Sequence, residues 1–440
     1  MSENKNIKNL SLNSGIWVYL LSVLFTLTFS SFNPLQHEEP SFDQKVKSLT
    51  TDWYTLFLKF ESKDLNAYAP LSAEKLSWLG IAGYVTYIEL QQSFDKKQED
   101  CLVALNEIYA HYIHQSFPNL NANEINEIYN LKNQKRALVS PEVSYGMKQN
   151  DPALLKIMHV TDSIRKEKTT CHDPSETIKK SSLSPDWMLH SDHPVLPNWG
   201  TKQTFVADKS SSPIRAPYYG RPSFEKALYS DALEIYNLSL NLSNEDKWIA
   251  EFWSDDVRGL TFSPAGRWVS ITNQILQKSN LTAPEILKLY LKLGVGIYDA
   301  GVICWYNKYY YSLQRPSNFI NQHIDPSWTP LHADPDFPAY PSGHAVFGAV
   351  SATILEYHFG KDFAFTDNSH QDRVEFQSAA RSFPSLQAMA IENAWSRVLI
   401  GVHYKEDCEA GLKLGYYVGK LVNDTDIEQL MGLRAKLPIL

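Results

Sequence analysis

The sequence predicts a mainly α-helical protein built around a large bundle of helices. Apolar residues recur at three- and four-residue steps along 73–90 and 102–112, which is the period of an amphipathic helix. The alternation of apolar and polar residues that indicates strands is nearly absent, and we find no internal repeat. At 440 residues the chain is long enough to bury a large core.

The helical pattern also sets the expected domain organisation. From about residue 166 the apolar periodicity gives way to Lys, Ser, Asp and Pro, which predicts an irregular connection. We expect the two helical regions on either side of it to form one fused domain. The expected boundaries are a signal peptide or N-terminal anchor over 1–32, a helical region over 33–165, the connection over 166–222 and a helical region with the candidate catalytic residues over 223–440.

The first residues have the pattern of an export signal. Lys5 and Lys8 precede a nearly unbroken apolar run over 16–29. A run of about fourteen residues is short for a membrane-spanning helix and suits the apolar core of a signal peptide. An uncleaved anchor is the alternative, because no small-residue cleavage site is obvious. We therefore expect an exported protein, periplasmic or secreted, with no stable membrane span after processing.

The charge distribution narrows the classes of ligand. The formal net charge is −8, and this acidic balance does not suggest a protein that binds nucleic acid. Against this acidic background, Lys308, Arg315 and Arg397 form a local concentration of fixed positive charge within about a hundred residues. Such a group of cations is suited to holding a small oxyanion, because an arginine fork matches pairs of anionic oxygens.

Four cysteines would permit disulfides in an exported protein. Their spacing matches no metal-binding motif. Cys304 and Cys408 lie in apolar helical surroundings and are expected to be free core thiols. A bridge between Cys101 and Cys171 is a further possibility that the sequence leaves open.

The best-defined helix starts after Thr282. Thr282 and Glu285 form a capping box, and a proline occupies the first turn. Apolar residues then repeat at helical spacing, and we expect the helix to run to about Leu313 and to end at Arg315–Pro316. The Pro- and Asp-rich stretch over 321–340 is expected to be a loop at the rim of a cleft.

Further helices are predicted from Ser342 to Phe359 and from Leu386 to Leu399. Gly401 is expected to break the chain before a last helix, which would carry His403 and Asp407 and run to about residue 422.

Each of three short segments supplies groups for oxyanion chemistry. Lys308 and Arg315 are seven residues apart, so two helical turns would return both to one face. Ser342–Gly343–His344 begins a helix, where free backbone N–H groups favour anions and glycine allows close approach. Taken separately, the first pair could be a solvated helix face, Ser342 an ordinary N-cap and His344 an ordinary polar residue.

The third segment contains Arg397, His403 and Asp407. Six residues separate Arg397 from His403, so the two would need the break at Gly401 to converge. His403 and Asp407 are four residues apart, and a carboxylate there can accept the imidazole N–H and orient the ring. Alternatively, Asp407 is a helix-surface acid.

Together, the order Lys-x6-Arg-Pro, Pro-Ser-Gly-His, Ser-Arg-x5-His-x3-Asp resembles the signature of the type-2 phosphatidic acid phosphatase and vanadium haloperoxidase superfamily. The resemblance covers about residues 251–420. It implies a large helical-bundle fold of the vanadium haloperoxidase and acid phosphatase type. Because vanadate and phosphate have the same shape, the signature alone does not separate halide oxidation from phosphate hydrolysis.

Neighbouring residues favour the haloperoxidases. Trp305 lies three residues before Lys308 and Phe337 seven before His344, as in the chloroperoxidase-like and bacterial iodoperoxidase-like members. Algal bromoperoxidases usually carry arginine and histidine at these positions. Asp256 lies in a segment that resembles the one whose aspartate pairs with the later arginine.

The resemblance implies vanadate as the cofactor and a role for each site residue. His403 would bind vanadium, and His344 would be the acid–base residue. The remaining vanadate-binding groups would be Lys308, Arg315, Arg397, Ser342 and the Gly343 amide. Lys308 would in addition polarise the bound oxidant. Trp305 and Phe337 would shape the halide pocket or, alternatively, only pack in the core.

The implied partners are hydrogen peroxide, a halide, with iodide or bromide favoured, and small organic acceptors of hypohalous acid. The alternative is an exported acid phosphatase in which His403 forms a phospho-histidine and His344 protonates the leaving group. A non-catalytic oxyanion-binding relative is a third hypothesis, disfavoured because every charged position of the signature is filled. A membrane lipid phosphatase is disfavoured by the single apolar segment.

Overall fold

The computed structural model describes residues 39–91, 98–139, 151–169, 193–255, 257, 259, 261–371 and 380–432. The chain divides after Ser41, and the residues from Phe42 onward form one compact unit. The predicted signal segment over 1–32 lies outside the described residues. The predicted domain boundaries stay predictions.

Fourteen α-helices occur among the described residues, which confirms the prediction of a mainly α fold. The first eight are α1 (Phe42–Glu61), α2 (Ala69–Gln91), α3 (Gln98–Ser116), α4 (Ala122–Arg136), α5 (Pro152–Thr169), α6 (Phe224–Ser239), α7 (Asn244–Phe252) and α8 (Pro264–Gln277). The others are α9 (Ala283–Tyr311), α10 (Pro316–His323), α11 (Gly343–Phe359), α12 (Leu386–Ile400), α13 (Lys405–Asp424) and α14 (Ile427–Leu430).

A small antiparallel hairpin is the sheet that the structure describes. Strand β1 (Phe365–Asp367) pairs with β2 (Arg381–Phe383), with Phe365 opposite Phe383. Two three-residue 3₁₀ turns, Trp199–Thr201 and Lys209–Ser211, lie in the otherwise irregular stretch over 193–223.

Helix α9 is the central element of the core and packs closely against α2. Glycines permit the contact: a Cβ on Gly80 would lie 2.6 Å from the Tyr290 carbonyl oxygen, and one on Gly294 would lie 2.8 Å from that of Leu76. Because α2 comes from the N-terminal half and α9 leads into the signature residues, both halves of the chain share one core.

The predicted start of α9 is confirmed, but its predicted end is wrong. Thr282 is the N-cap with a capping box to Glu285. The helix ends at Tyr311, because Ser312 adopts a left-handed conformation with φ 50°. Pro316 then opens α10 instead of only ending the preceding helix, since proline suits a first helical turn.

The described residues test part of the cysteine prediction and part of the membrane prediction. Cys304 and Cys408 are buried free thiols, as predicted, and Cys101 is a third. A bridge from Cys101 is therefore not formed, and Cys171 lies outside the described residues. Within the described part of the chain, no helix is both long and apolar enough to cross a bilayer.

Helices α11 and α13 approach each other through glycines four residues apart. A Cβ on Gly411 would lie 2.6 Å from the Ser342 carbonyl oxygen, and one on Gly415 would lie 2.5 Å from that of Val346. Carbon atoms do not approach backbone oxygens this closely, so any larger residue must push the helices apart. This contact fixes the start of α11, where Ser342, Gly343 and His344 lie, relative to α13.

We expect Gly415→Ala to lower the free energy of unfolding by about 1–3 kcal/mol through overpacking. The loss should appear although alanine is intrinsically the better helix former by about 1 kcal/mol. Denaturant unfolding of the variant and wild type measures the change. Lys413→Ala, at an exposed position of the same helix, is the matched control and should stay close to wild type. Stability at or above wild type in Gly415→Ala would contradict the proposed close packing.

Candidate active site

The predicted site residues that the structure describes either line one cavity of about 420 Å³ or contact residues that line it. The cavity lies where the end of α9, the start of α11, the end of α12 and the turn before α13 meet. It also touches residues 67–70, at the start of α2, and the loop over 332–337. Six predicted residues line it directly: Trp305, Phe337, Gly343, His344, Arg397 and His403.

His403 lies in the turn between α12 and α13, not on the last helix as predicted. Gly401 ends α12 with φ 90°, which supplies the predicted break. The His403 ring is 2% exposed, and its Nδ1 lies 3.0 Å from Oδ2 of Asp407. The same carboxylate oxygen accepts the backbone N–H of Tyr404 at 3.0 Å. Asp407 therefore caps α13 and orients the ring, and with Nδ1 donating, the lone pair of the ring is on Nε2.

Arg315 is buried beside that nitrogen. It is the N-cap residue of α10, so it does not share a helix face with Lys308 as predicted. Its guanidinium donates to the carbonyl oxygens of Phe337, at 3.1 and 3.0 Å, and of Val402 at 2.7 Å. Its Nη1 lies 3.2 Å from Nε2 of His403. These bonds to neighbouring loops fix the guanidinium at the ligand face of the imidazole.

Lys308 comes from the last turn of α9 and is fully buried. Its ammonium donates to the carbonyl oxygens of Pro338 and Ala339, both at 2.9 Å, and lies 5.0 Å from the centre of the Phe337 ring. An ammonium has three donors, so these two bonds leave one N–H available for an anion.

Arg397 and the start of α11 supply the other anion-binding groups. Arg397 is 1% exposed, and its Nη1 lies 3.4 Å from the carbonyl oxygen of Trp253. Ser342 is the N-cap of α11, with its backbone N–H donating to the Asp407 carbonyl oxygen at 2.9 Å. A Cβ on Gly343 would meet only the Trp305 ring within 4 Å, at 3.8 Å, so the backbone faces open space. First-turn N–H groups in such a place favour an anion.

Burial and the neighbouring cations keep the His403 imidazole neutral. Burial, followed by the positive charges of Arg315, Lys308 and Arg397, holds the His403 pKa well below its usual value. Burial raises the pKa of Asp407, whereas Lys308 and Arg315 oppose that rise. A neutral imidazole is the form that ligates a metal, so the electrostatics match the geometry.

Burial also lowers the pKa of Lys308 to about 7, and Arg315 adds to that effect. An anion in the cavity would raise the Lys308 pKa again, because it stabilises the charged ammonium.

These residues fit a tetrahedral oxyanion of a metal. Three buried cations can neutralise its oxygens, a remaining ammonium N–H can donate to one of them, and one imidazole nitrogen can reach its central atom. The open space beside Gly343 gives such a group room.

Trp305 and Phe337 form one wall of the cavity. Their ring centres are 5.0 Å apart, and Trp305 donates its indole N–H to the carbonyl oxygen of Val195 at 3.3 Å. Tyr309 donates its hydroxyl to the same oxygen at 2.6 Å. Trp199 packs edge-on against Trp305 with ring centres 6.4 Å apart.

The residues behind this wall belong to the stretch predicted to be a mere connection, and sequence analysis missed their part in the site. Asp299, fully buried on α9, accepts backbone N–H groups of residues 205–207 at 2.7 to 2.9 Å and so fixes that stretch against the helix. A carboxylate inside an otherwise apolar helix was the available signal, because a buried charge requires partners.

A buried ion-pair cluster supports the segment around Trp253. Asp256, predicted to pair with the later arginine, lies outside the described residues. The adjacent Asp255 pairs with Arg267 at 3.1 Å, and both side chains are almost fully buried. Although burial opposes it, Arg267 holds the pKa of Asp255 below its usual value. Asp255 thus stays ionised and anchors the segment whose Trp253 carbonyl contacts Arg397.

The lowered pKa of Lys308 predicts pH-dependent anion binding by the cofactor-free protein. Only the protonated ammonium favours an anion, so binding above pH 7 must be accompanied by proton uptake. We expect the dissociation constant for sulfate, whose charge is constant in this range, to rise between pH 7 and 9 by up to about tenfold per unit. Calorimetry with wild type and Lys308→Met tests this, with the variant binding weakly and with a shallower pH profile than wild type. A flat wild-type profile would contradict the prediction.

The comparisons with known proteins concern both sequence and fold. The family model described as the VCPO second helical-bundle domain matches residues 288–431. Vanadium chloroperoxidase of Curvularia inaequalis is 25% identical over 251 residues, covering 42% of this chain and 41% of that protein. Vanadium-dependent bromoperoxidase of Ascophyllum nodosum is 30% identical over 111 residues, covering 23% of this chain and 20% of that protein. The chain thus spans less than half the length of these relatives.

Solved structures show the same fold. A bacterial vanadium-dependent iodoperoxidase superposes with a TM-score of 0.66 at 21% identity, covering 86% of this chain and 96% of that one. A holo-type bacterial vanadium-dependent chloroperoxidase gives 0.60 at 14% identity, covering 85% and 96%. The resemblance predicted from the sequence is therefore confirmed: the chain has the fold of the vanadium haloperoxidases, and its residues 288–431, which hold the cations and histidines of the site, match the model of the VCPO second helical-bundle domain.

Proposed function

We propose that this protein is a vanadate-dependent haloperoxidase, which oxidises a halide with hydrogen peroxide to hypohalous acid. The observation that carries the proposal is a neutral imidazole, His403, which lines the cavity together with Arg397 and is influenced by two further buried cations, Arg315 and Lys308. The family match over 288–431 supports it, because that segment contains each of these groups.

The proposed cofactor is vanadate, held through Nε2 of His403. Vanadate would act as a Lewis acid that activates hydrogen peroxide without changing its own oxidation state. Lys308, Arg315 and Arg397 would neutralise its oxygens, with Ser342 and the Gly343 amide as further donors. Fixed cations in a water-poor cavity stabilise developing negative charge without reorganising. Lys308 has the additional role of polarising the activated oxygen, since its third N–H is available.

His344 is the proposed acid–base residue. It lies in the first turn of α11, lines the cavity and is 6% exposed. From there it can accept a proton from incoming hydrogen peroxide and return one to the leaving water. A positioned imidazole of this kind contributes about 10²–10⁴-fold to a rate.

Trp305 and Phe337 would bind the halide. Their rings form an apolar wall, and the Lys308 ammonium lies 5.9 Å from the Trp305 ring centre and 5.0 Å from that of Phe337. An aromatic wall beside one buried cation suits a large, weakly hydrated anion, which supports iodide or bromide as the preferred halide.

Export to the periplasm or medium is proposed from the apolar run over 16–29.

An acid phosphatase is the competing proposal, and one observation favours it. In many enzymes a third group holds the catalytic base or nucleophile in the reactive orientation. Asp407 holds the His403 ring in the same way, so Nε2 could attack a phosphate ester and form a phospho-histidine. The aromatic wall at Trp305 and Phe337 favours halide oxidation, since a phosphate ester requires no such pocket.

The two proposals predict opposite assay results. Full-length protein loaded with vanadate should oxidise iodide and bromide with hydrogen peroxide, followed as triiodide formation and as bromination of a phenolic dye. Phosphate present during loading should inhibit competitively, because it occupies the same cations. Fast hydrolysis of a phosphomonoester by the vanadate-free protein, without halide oxidation by the loaded protein, would reverse the assignment.

Separate substitutions of the two histidines should have different effects. His403→Ala should abolish vanadate retention, measured as protein-bound vanadium after gel filtration. His344→Ala should retain vanadate but lose about 10²–10⁴-fold in turnover, the range expected for general acid–base catalysis. His323→Ala, at an exposed position on α10, is the control and should match wild type in both measurements. Wild-type vanadium retention in His403→Ala would refute the ligand assignment.

A further inference from the structure

Residues 195–209 form a strap that crosses α9 beside Trp305. A Cβ on Gly200 would lie 2.2 Å from the backbone nitrogen of Tyr306 and 2.8 Å from the carbonyl carbon of Trp305, so a side chain has no space at this position. The ammonium of Lys209 donates to three successive carbonyl oxygens of the same turn at 3.0 to 3.1 Å and fixes its shape. The strap therefore lies directly on the part of α9 that carries Trp305.

The strap makes two contacts with the Trp305 ring. The carbonyl oxygen of Val195 accepts the indole N–H at 3.3 Å, and Trp199 packs edge-on against the ring with ring centres 6.4 Å apart. Trp199 is 5% exposed and also packs edge-on against Tyr298 of α9, with ring centres 5.6 Å apart. The position of Trp199 therefore decides how firmly the Trp305 ring is held.

Glu74, in the second turn of α2, holds Trp199 from the other side. Its Oε2 accepts the indole N–H of Trp199 at 3.3 Å and also pairs with the ammonium of Lys202. Both partners belong to the strap, so one carboxylate ties the strap to α2. Glu74 is not among the described residues that line the cavity, so an effect of Glu74 on the cavity must pass through the strap.

The firmness of the Trp305 ring matters for a halide because the ring forms part of the proposed halide pocket. A large halide is held in part by dispersion contacts with ring atoms, and a small gap already removes much of that attraction. If the ring is in place in only a fraction of the molecules, the apparent dissociation constant of the halide rises accordingly.

We propose that Glu74 is a positioning residue for halide binding, which acts by fixing Trp199 and through it the Trp305 ring. The inference rests on the proposed function, because that function gives the aromatic wall its ligand. Loss of Glu74 should weaken the binding of iodide more than that of bromide, since iodide makes the larger contact. Vanadate retention should not change, because the bonds described for Arg315 and His403 come from other segments.

Iodide binding without turnover tests the proposal. Full-length protein labelled with 5-fluorotryptophan and loaded with vanadate is titrated with iodide in the absence of peroxide. The ¹⁹F resonance that is missing in Trp305→Phe reports on the ring. In Glu74→Ala this resonance should shift, and the dissociation constant of iodide should rise about two- to tenfold, the range that corresponds to one edge-on aromatic contact.

Two further variants separate the proposed bond from a general loss of stability. Glu74→Gln keeps an oxygen that can accept the Trp199 indole N–H, so its iodide affinity should stay within about twofold of wild type. Glu89→Ala is the matched control: Glu89 is 11% exposed against 16% for Glu74, pairs with Lys156, and lies about 22 Å further along α2. This control should bind iodide as wild type does.

Steady-state rates give a second readout. Glu74→Ala should raise KM for iodide by the same factor as the dissociation constant, while kcat and KM for hydrogen peroxide stay at the wild-type values. A merely structural role would lower kcat through loss of folded enzyme and leave KM for iodide unchanged. The ratio of kcat/KM for iodide to that for bromide should fall in Glu74→Ala and recover in Glu74→Gln.

Several results would overturn the positioning role: wild-type iodide affinity in Glu74→Ala, an equal loss in Glu89→Ala, no recovery in Glu74→Gln, or no effect of iodide on the Trp305 resonance in wild type. Iodide oxidation by wild type tests the proposed function on its own. If oxidation occurs and Glu74→Ala binds iodide normally, the positioning role is refuted and the proposed function stands. If no halide is oxidised but iodide binds at Trp305 in a Glu74-dependent way, the proposed function is refuted and the positioning role is supported.

Discussion

The site depends on the burial of like charges around one neutral ring. Lys308, Arg315 and Arg397 are at most 1% exposed, so their repulsion is not relieved by water. Carbonyl oxygens from the loop after α10 and from the turn before α13 compensate part of it. Burial, together with the field of these cations, keeps His403 neutral. The same arrangement therefore favours binding of an anion and leaves the imidazole in the form that can ligate the anion's central atom.

The rest of the fold serves to hold these groups against their repulsion. The glycine contacts between α11 and α13 bring the Ser342–His344 segment against the turn that contains His403. Asp299 fixes the irregular stretch that supports Trp305, and Asp255 with Arg267 fixes the segment that contacts Arg397. The N-terminal half also contributes to the cavity, through residues 67–70.

The sequence predicted the helical class, the start of α9 and the set of residues that meet at the cavity. It placed Arg315 and His403 on helices, whereas both lie in turns. The spacings of four and seven residues therefore predicted the correct neighbours, but not the geometry that brings them together. That geometry is set by turns, whose conformation depends on tertiary contacts. The positions of Val195, Trp199 and residues 67–70 at the cavity could not be predicted, since they depend on long-range packing and carry no local motif.

The central claim is that the cations and the His403 ring hold vanadate as one unit. A crystal structure of the protein soaked with vanadate tests it most directly. The account predicts a vanadium atom bonded to Nε2 of His403, with its oxygens contacted by Lys308, Arg315 and Arg397. Vanadate bound elsewhere, or bound among the cations without a bond to that nitrogen, would contradict it.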